Sequence, residues 1–439
     1  MKHYSIELKA ISPLAIRSDH APGGAETAKY ISGTTLSGSL AAVHRLLHDK
    51  NTNDFESLFL SGKVSYPNLY PALFNDPNVY VLDLPVYPMP KTAQSCKRFS
   101  GFQYMTEDEI RRGEDKGHGV RDGLFDWALF KISRALQRET VATLDILRRH
   151  ESCTYDTGAN PDTPQYCHES MDHFGGYYCR DDSEEDAFFS AQIDAHTRLQ
   201  THTGINRQSG TVHEGILYNR QVFDEGMRFG GIVKINDDGD DRLIRQFEDF
   251  LRDVGNTGLV RIGTGRTRGM GNVSLTTNPE KDLADRLSAF KGRLVKFNEV
   301  LRKEAEKINL QSDLKPFYFA LTLHSPLIIN DDLLRYQSTF DKNTLATLTD
   351  ISSKKFQSVY QCTSLRRVTG WNQLWGTPRT NEYAIETGSV FLFAYSESLD
   401  NALAEALFDL EEQGIGRRRA EGFGRVCVSD PFHLEVELR

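Results

Sequence analysis

Residues 260–275 read VRIGTGRTRGMGNVSL, and residues 413–428 read QGIGRRRAEGFGRVCV. Each stretch contains the pattern GxGR, then a short spacer, then GxG and the beginning of a strand. The two spacers differ in length by two residues. Glycine permits positive φ and close backbone contacts, so each stretch is predicted to form a tight loop. Because the same loop occurs late in each half of the chain, the sequence predicts an internal repeat.

The two halves also begin alike. Residues 4–16 read YSIELKAISPLAI, and they align without a gap with residues 317–329, FYFALTLHSPLII. Five of the thirteen positions are identical. Both segments alternate as strands do and end at Ser-Pro-Leu, where proline stops ladder pairing. The repeat therefore runs from an initial strand to a late glycine loop in each half.

The segments between these ends predict the same order of elements in both halves. Strands are predicted at 227–235 and 389–396, and amphipathic helices at 241–254 and 401–412. An earlier helix is capped by Thr34 and Thr35 in the first half, and residues 364–375 are its weaker counterpart. The resulting order in each half is strand, helix, strand, strand, helix, strand. This order predicts an α+β chain with two tandem ferredoxin-like domains.

A helical linker and an insertion complete the predicted organisation. Apolar residues recur every third or fourth position from Leu283 to Ile308, which predicts one long helix between the halves. Gly292 interrupts it, at a cost of roughly 1 kcal/mol relative to alanine. Residues from about 50 to 195 do not fit the repeat and are interpreted as an insertion that contains a helix at 122–149. The expected boundaries are a first domain at 1–278, a linker at 279–315 and a second domain at 316–439.

The composition is that of a folded protein in a reducing compartment. Of 439 residues, 39% are hydrophobic and 26% are charged, which excludes a disordered chain. The formal net charge is −9, so any nucleic-acid surface must be a local patch. Six cysteines without dense spacing argue against a disulfide framework. The sequence shows neither a secretion signal nor a run of 18 apolar residues, so we expect a cytoplasmic protein without membrane contact.

The glycine loops are the predicted RNA contacts. Backbone N–H groups of glycines can approach a phosphate closely, and arginine guanidinium groups donate hydrogen bonds to its oxygens. A dinucleotide fingerprint is a poor alternative, since these loops follow helices and run into strands. No Walker motif occurs either. The second loop is more basic, and we expect it to be the principal contact, with Phe423 stacking on a base. The predicted contacts are Gly263, Gly265, Arg266, Arg268, Gly269, Gly271, Gly414, Gly416, Arg417, Arg418, Arg419, Gly422, Phe423, Gly424 and Arg425.

At these loops the chain resembles the RAMP superfamily of CRISPR-associated proteins. GIGRRRAEGFGRV at 414–426 is the most specific match, and residues 30–47 (YISGTTLSGSLAAVHRLL) and 205–229 (INRQSGTVHEGILYNRQVFDEGMRF) are similar to further family segments. The resemblance covers both halves but not the insertion. It implies RRM-like ferredoxin-like domains of the RAMP type, and a double-length chain looks most like the Csx-type RAMP of type III-D effector complexes.

The resemblance implies a non-catalytic subunit that binds guide RNA (crRNA) in a type III effector complex for antiviral defence. Expected partners are other effector subunits, including the large polymerase-nuclease subunit. The protein is expected to contact target RNA only indirectly, because base pairing between the target and the guide RNA supplies the sequence specificity.

Three alternatives stay open. A guide-processing endoribonuclease would use His20 as a base, with Lys29 and Tyr30 nearby, although a solvent-exposed loop histidine explains His20 as well. A target-cleaving backbone subunit would use Asp19 for metal-dependent cleavage, although aspartate also favours turns. A more remote alternative is an enzyme that binds a phosphorylated small molecule. Catalysis is predicted to be absent.

The only cofactor that the residues suggest is a structural zinc ion in the insertion. The predicted ligands are Cys96, Cys153, Cys167 and Cys179, with His150, His168 or His173 as alternatives for Cys96. The spacings of 13 and 11 residues between the last three cysteines include no CxxC pair. Ordinary reduced thiols are the competing interpretation.

Overall fold

A computed structural model describes most of the chain. The residues that it does not describe are 18–25, 49–51, 72–84, 103–116, 158–164, 181–187, 192–196, 206–207, 210, 240, 280–282, 373–375, 435–436 and 439.

The helices are named here in chain order. They are α1 (Gly33–Leu47), α2 (Thr52–Phe55), α3 (Leu124–Ala135), α4 (Val141–Arg148), α5 (Asp241–Thr257), α6 (Leu283–Glu306), α7 (Lys342–Thr349) and α8 (Asn401–Gln413). None of the helices in the described part of the chain is long and apolar enough to cross a membrane.

The strands outnumber the helices, and the chain is a mixed α+β protein. The strands before the linker are β1 (Lys2–Ala10), β2 (Val64–Ser65), β3 (Tyr70–Pro71), β4 (Val86–Pro88), β5 (Ala93–Cys96), β6 (Val120–Asp122), β7 (Met171–His173), β8 (Tyr177–Arg180), β9 (Phe188–Ala191), β10 (Thr197–Ile205), β11 (Val212–Phe223), β12 (Arg228–Ile235) and β13 (Val273–Pro279). Those after it are β14 (Phe317–Leu323), β15 (Phe356–Cys362), β16 (Leu365–Val368), β17 (Trp371–Asn372), β18 (Thr377–Pro378), β19 (Glu382–Ile385), β20 (Val390–Tyr395), β21 (Val426–Val428) and β22 (Glu437–Leu438).

Two antiparallel sheets have the same strand order. The N-terminal sheet runs β13-β1-β12-β2, with β3 also paired to β12, and the C-terminal sheet runs β21-β14-β20-β15. In each sheet the first strand along the chain lies between the third and the fourth. One helix follows the first strand and another follows the third, so each unit has the predicted order of strand, helix, strand, strand, helix, strand. The predicted strands at 227–235 and 389–396 are confirmed as β12 and β20.

One predicted helix is wrong. Residues 364–372 contain β16 and β17 rather than a helix, whereas 373–375 lie outside the described residues, and β16 pairs with β19 in a two-stranded ribbon. The helix at this point of the second unit is α7, which lies earlier in the chain. Its N-cap is Asp341, whose carboxylate accepts from the backbone N–H groups of Asn343 and Thr344. The apolar residues at 364–375 favour a helix by spacing, but the cap at Asp341 decides where the helix begins.

Two helix boundaries also differ from the predictions. The helix predicted at 122–149 is two helices, α3 and α4, and Thr140 begins the second with a capping box to Thr143. Gln137, between them, has a φ of 56° and cannot continue a right-handed helix. In α1 the cap is Ser32 rather than Thr34 or Thr35, because the Ser32 hydroxyl accepts from the Thr35 N–H.

The insertion and the linker helix cover the second face of the C-terminal sheet. All seven residues of β14 are buried, because both faces of this sheet are packed. Phe319 faces a core that includes α8, whereas Tyr318 faces α3 and the linker helix α6. In that second core the Phe125 and Phe297 rings lie 5.0 Å apart. Residues inserted into the first half are therefore anchored on the sheet of the second half.

Polar contacts join the N-terminal sheet to α8 of the second half. Lys234 on β12 donates to the Glu411 carbonyl at 2.6 Å, and His3 on β1 lies 3.1 Å from the Glu412 carboxylate. Arg286 on α6 contacts the same carboxylate at 2.8 Å. His3 and Glu412 are buried and Lys234 and Arg286 are half-buried, so their charge state affects how well the N-terminal sheet and α8 hold together.

We expect the chain to lose stability on acidification through His3. Burial lowers the pKa of His3 to about 4, despite the neighbouring Glu412 carboxylate. Between the ordinary value near 6.5 and pH 4, the unfolded chain binds this proton and the folded chain does not, so folding becomes less favourable as the pH falls. The loss attributable to His3 is at most about 3 kcal/mol. Urea unfolding at pH 7 and pH 4.5 should show a smaller decrease for His3→Asn than for the wild type, and equal decreases would contradict this.

Candidate nucleic-acid interface

The two glycine loops have the same backbone structure. We call residues 262–271 the N-terminal glycine loop and residues 415–424 the C-terminal glycine loop. Each is closed by a backbone hydrogen bond of 2.8 Å from its first N–H, in Ile262 or Ile415, to the carbonyl of its last glycine. In each, the backbone forms a short 3-10 turn between left-handed residues before the final strand.

The structure changes the alignment of the two loops. The Thr264 N–H donates to the Ala15 carbonyl and the Arg417 N–H to the Ile328 carbonyl, both at 2.9 Å. Ala15 and Ile328 occupy the same position of the repeated N-terminal strand segment. Thr264 is therefore equivalent to Arg417, and the loops match residue for residue. The apparent difference of two residues comes from aligning Gly414 with Gly263.

Close packing explains why the last glycine of each loop is needed. A Cβ atom at Gly271 would lie 2.4 Å from the Ile262 carbonyl oxygen, and one at Gly424 would lie 1.7 Å from that of Ile415. Both distances are far below van der Waals contact, and the φ values are 83° and 66°. The two loops thus close in the same way for the same reason.

The N-terminal glycine loop presents its arginines to solvent. Arg266 and Arg268 are both exposed, and residues 262–271 contain no aspartate or glutamate. The Arg268 guanidinium donates to the Tyr218 hydroxyl at 2.5 Å. Four of the loop's residues are glycines with positive φ, which leaves the backbone open toward this surface. The loop therefore offers delocalised positive charge next to an aromatic side chain.

A two-stranded hairpin formed by β10 and β11 extends beside this loop. His202 and Tyr218 are cross-strand partners, and their rings stack at 5.2 Å with an interplanar angle of 20°. Arg220 lies on the same face, and its guanidinium is 3.3 Å from the position of a Cβ at Gly265. The hairpin face and the loop together form a surface of guanidinium groups and stacked rings, which is suited to phosphates and bases.

The C-terminal glycine loop uses much of its charge internally. Arg418 occupies the position that corresponds to Gly265 in the other loop. It forms ion pairs of 2.7 Å with Glu382 and with Glu421. Its guanidinium also lies 4.5 Å from the centre of the Phe423 ring. Phe423 packs against a small apolar cluster that contains Ile328, Val368 and Ala384. Arg418 and Phe423 are therefore held by contacts within the chain, and their predicted contact with RNA stays a prediction.

Arg425 and Gly422 both contact the first half of the chain, and their predicted contact with RNA stays a prediction. The Arg425 guanidinium donates to the Ile232 carbonyl at 2.7 Å and to the Ser65 carbonyl at 3.0 Å. Burial lowers the pKa of Arg425 to about 10. A Cβ at Gly422 would lie 2.9 Å from the Tyr66 carbonyl oxygen. In this loop only Arg417 and Arg419 are exposed arginines.

A sequence comparison supports the family that these loops suggest. The family model of the RAMP superfamily matches residues 7–274, which is more than half of the chain. The chain belongs to the RAMP superfamily. The matched region of this RAMP protein begins within β1, includes the insertion, and ends after the N-terminal glycine loop.

Similar solved structures come from type III-B Cmr-beta. The structure bound to cognate target RNA and AMPPnP has 12% identity, with 88% of this chain and 86% of that chain covered and a TM-score of 0.38. The structure bound to cognate target RNA has 11% identity, the same coverages and a TM-score of 0.36. The apo state has 10% identity, covers 63% of this chain and 96% of that chain, and has a TM-score of 0.27. No curated protein matches the RAMP chain significantly.

The structure does not describe the two candidate catalytic residues of this RAMP protein. Asp19 and His20 lie outside the described residues, so their roles stay predictions. Tyr30, proposed near His20, accepts a hydrogen bond of 3.1 Å from the Arg366 guanidinium, and its ring lies 5.5 Å from that of Tyr70.

The predicted zinc ligands come together only in part. Cys96, Cys153 and Cys167 converge, whereas Cys179 is buried in β8 opposite Val86. The fourth member of the group is His118, which was not among the predicted ligands. Of the alternative histidines, His150 is held elsewhere by the Asp126 carboxylate at 2.8 Å. His168 and His173 do not join the cluster among the described residues.

Sequence reasoning also missed the aromatic and cationic residues of the hairpin. His202, Tyr218 and Arg220 alternate along β10 and β11, and such alternation predicts one shared face of a strand pair. For His118 a local signal existed, since glycines flank it on both sides. A Cβ at Gly117 would lie 2.3 Å from the Phe102 carbonyl oxygen, so this segment packs unusually close to its neighbour.

Proposed function

We propose that this RAMP protein is a non-catalytic guide-RNA-binding subunit of a type III CRISPR effector complex, acting in antiviral defence. The observation that carries the proposal is the N-terminal glycine loop, whose exposed Arg266 and Arg268 lie beside the aromatic face of the hairpin. Membership of the RAMP superfamily supports the same assignment.

The proposed binding mode follows from the chemistry of the surface. Guanidinium groups and open backbone amides hold phosphate oxygens without distinguishing bases. The His202 and Tyr218 rings add a platform on which an unpaired base can stack. The protein would thus hold the guide backbone, and base pairing of the guide would select the target RNA.

The finer assignment extends this proposal. The strand orders of the two sheets support two ferredoxin-like, RRM-like domains, at 1–278 and 316–439, with the helical linker at 279–315. We assign the chain to the Csx-type RAMP subunits of type III-D complexes on the loop motifs. Its proposed neighbours are other effector subunits, including the large polymerase-nuclease subunit, in the cytoplasm.

No catalytic step is part of the proposal. The guide-processing and target-cleaving alternatives depend on His20 and Asp19, which the described residues do not include. The small-molecule alternative would need a pocket for a phosphorylated ligand. A cavity between α2 and α5 is lined by residues that include Lys63 and Arg242, and none of its lining residues belongs to either glycine loop.

Binding of a labelled single-stranded RNA, measured across a series of salt concentrations, tests the proposal. We expect the logarithm of the binding constant to fall linearly with the logarithm of salt, by about 0.7 for each phosphate neutralised. Mononucleotides should not compete, and the RNA should stay intact. Salt-independent binding or efficient competition by a mononucleotide would contradict RNA binding, whereas cleavage would contradict the non-catalytic role. Purification of the native assembly should recover guide RNA with the chain.

A further inference from the structure

We propose that the insertion contains a structural zinc site formed by Cys96, His118, Cys153 and Cys167. One ligand atom of each residue, three sulfurs and one imidazole nitrogen, lies within 4.8 Å of all the others. Cys96 and Cys153 are buried, and the other two are half-buried. A closed set of three thiolates and one histidine is a donor set that structural zinc sites use.

The separations match the edges of a zinc tetrahedron. Bonds of about 2.3 Å to sulfur and about 2.0 Å to nitrogen place two sulfurs about 3.8 Å apart, and a sulfur and a nitrogen about 3.5 Å apart. The Cys96 and Cys167 sulfurs are 4.0 Å apart. The Cys153 sulfur and the His118 Nδ1 are 3.4 Å apart. Both distances allow a metal ion between the ligands with little movement.

Neighbouring groups hold the ligands in this arrangement. The His118 ring is stacked between Phe99, at 4.4 Å, and Tyr155, at 4.1 Å, which fixes the direction of its nitrogens. The Phe99 backbone N–H donates to the Cys96 sulfur at 3.5 Å. Amide donors and packed rings of this kind orient metal ligands and stabilise thiolates.

A metal ion would also supply the cohesion that this part of the insertion lacks. The segments at 151–157 and 165–170 pair with each other through backbone hydrogen bonds, such as that from the Cys167 N–H to the Tyr155 carbonyl. Cys153 is the only fully buried residue in the two segments. Because no hydrophobic core fixes them, zinc would tie them to the end of β5 and to the segment before β6.

A disulfide fits these distances less well than a metal ion does. It requires a sulfur–sulfur distance of about 2.05 Å, and all six cysteines are free thiols. A second group, His324, Cys427 and Asp430, could also hold a metal ion by position. There the Asp430 carboxylate already accepts from Tyr178, from the Phe432 N–H and from His324, so its oxygens are satisfied.

Metal analysis of the purified protein tests the site. Protein expressed with zinc in the medium should carry about one zinc per chain. Cys167→Ser, on a partly exposed segment, should lose most of the metal. Cys362→Ser is the matched control, since this half-buried thiol lies outside the cluster, and it should keep the full zinc content. A zinc-free wild type, or equal zinc in both variants, would overturn the proposal.

Cobalt substitution of the wild type keeps the test independent of whether a variant folds. Cobalt(II) at this site should give the absorption of a tetrahedral ion with thiolate-to-metal charge transfer. An octahedral spectrum, or no cobalt uptake by the zinc-depleted chain, would overturn the site. Removing zinc should lower the melting temperature while RNA binding by the folded chain keeps its salt dependence. Loss of RNA binding alone would count against the proposed function and not against the zinc site.

Discussion

Replacing Arg266 and Arg268 together with alanine is expected to weaken single-stranded RNA binding by about ten- to a hundredfold. Each exposed guanidinium contributes charge-assisted hydrogen bonds to phosphates, at about 1 kcal/mol or somewhat more per contact in water. The slope of log binding constant against log salt should become shallower by about 1.4, because two phosphate contacts are lost. Fluorescence anisotropy over a salt series measures both quantities.

Two control pairs distinguish a local contact from a change in net charge. Arg245 and Arg252 are exposed on α5, so alanine at both removes the same charge from the same half of the chain without touching the loop. The binding constant of this double variant for RNA should stay within about threefold of the wild-type value. Alanine at Arg417 and Arg419 tests the other loop, where we expect a smaller effect because Glu382 and Glu421 offset its charge. An equal or larger effect there would reverse the assignment of the principal contact.

Replacing Arg425 with alanine is expected to lower the free energy of unfolding by about 3–5 kcal/mol. The half-buried guanidinium, directly after the C-terminal glycine loop, donates to the Ile232 and Ser65 carbonyls of the N-terminal sheet. Truncation leaves these acceptors without their donor and opens a cavity. Lysine should recover only part of the loss, since one ammonium group cannot reproduce the planar fork of donors. Urea denaturation monitored by tryptophan fluorescence measures the change.

Arg419→Ala is the matched control for this prediction. Arg419 belongs to the C-terminal glycine loop, which Arg425 follows directly, but it is exposed, and its side chain makes a long hydrogen bond of 3.4 Å to the Gly414 carbonyl. Its replacement should change stability by no more than about 0.5 kcal/mol. If Arg425→Ala and Arg419→Ala unfold alike, Arg425 does not hold the sheets together.

Much of the order of elements could be predicted locally. Hydrophobic periodicity located α5, α6 and α8, and alternation located β1, β12, β14 and β20, because each pattern reflects burial of one face of a short segment. The predictions failed where a cap or a break decided the structure. Asp341 starts α7 and Gln137 ends the first insertion helix, and both effects depend on single residues rather than on periodicity.

The sequence predicted which residues form the candidate interface, but it did not predict which of their side chains are exposed to solvent. The glycines and arginines of both loops are present in the sequence, yet Arg418 is neutralised by Glu382, which lies 36 residues earlier. Arg425 is half-buried and donates to the carbonyl of Ser65, which is 360 residues away. Such pairings depend on how the two sheets meet. The preference therefore moves from the more basic C-terminal loop to the N-terminal one.

The sequence by itself determined the repeat, the two glycine loops and the strand and helix order, since glycine chemistry and side-chain periodicity act within a few residues. Only the tertiary structure decided the register of the loops, through their bonds to Ala15 and Ile328. It also decided which arginines face solvent, and it placed His118 beside three cysteines from other segments. These features join residues far apart in the chain, and spacing along the sequence does not encode them.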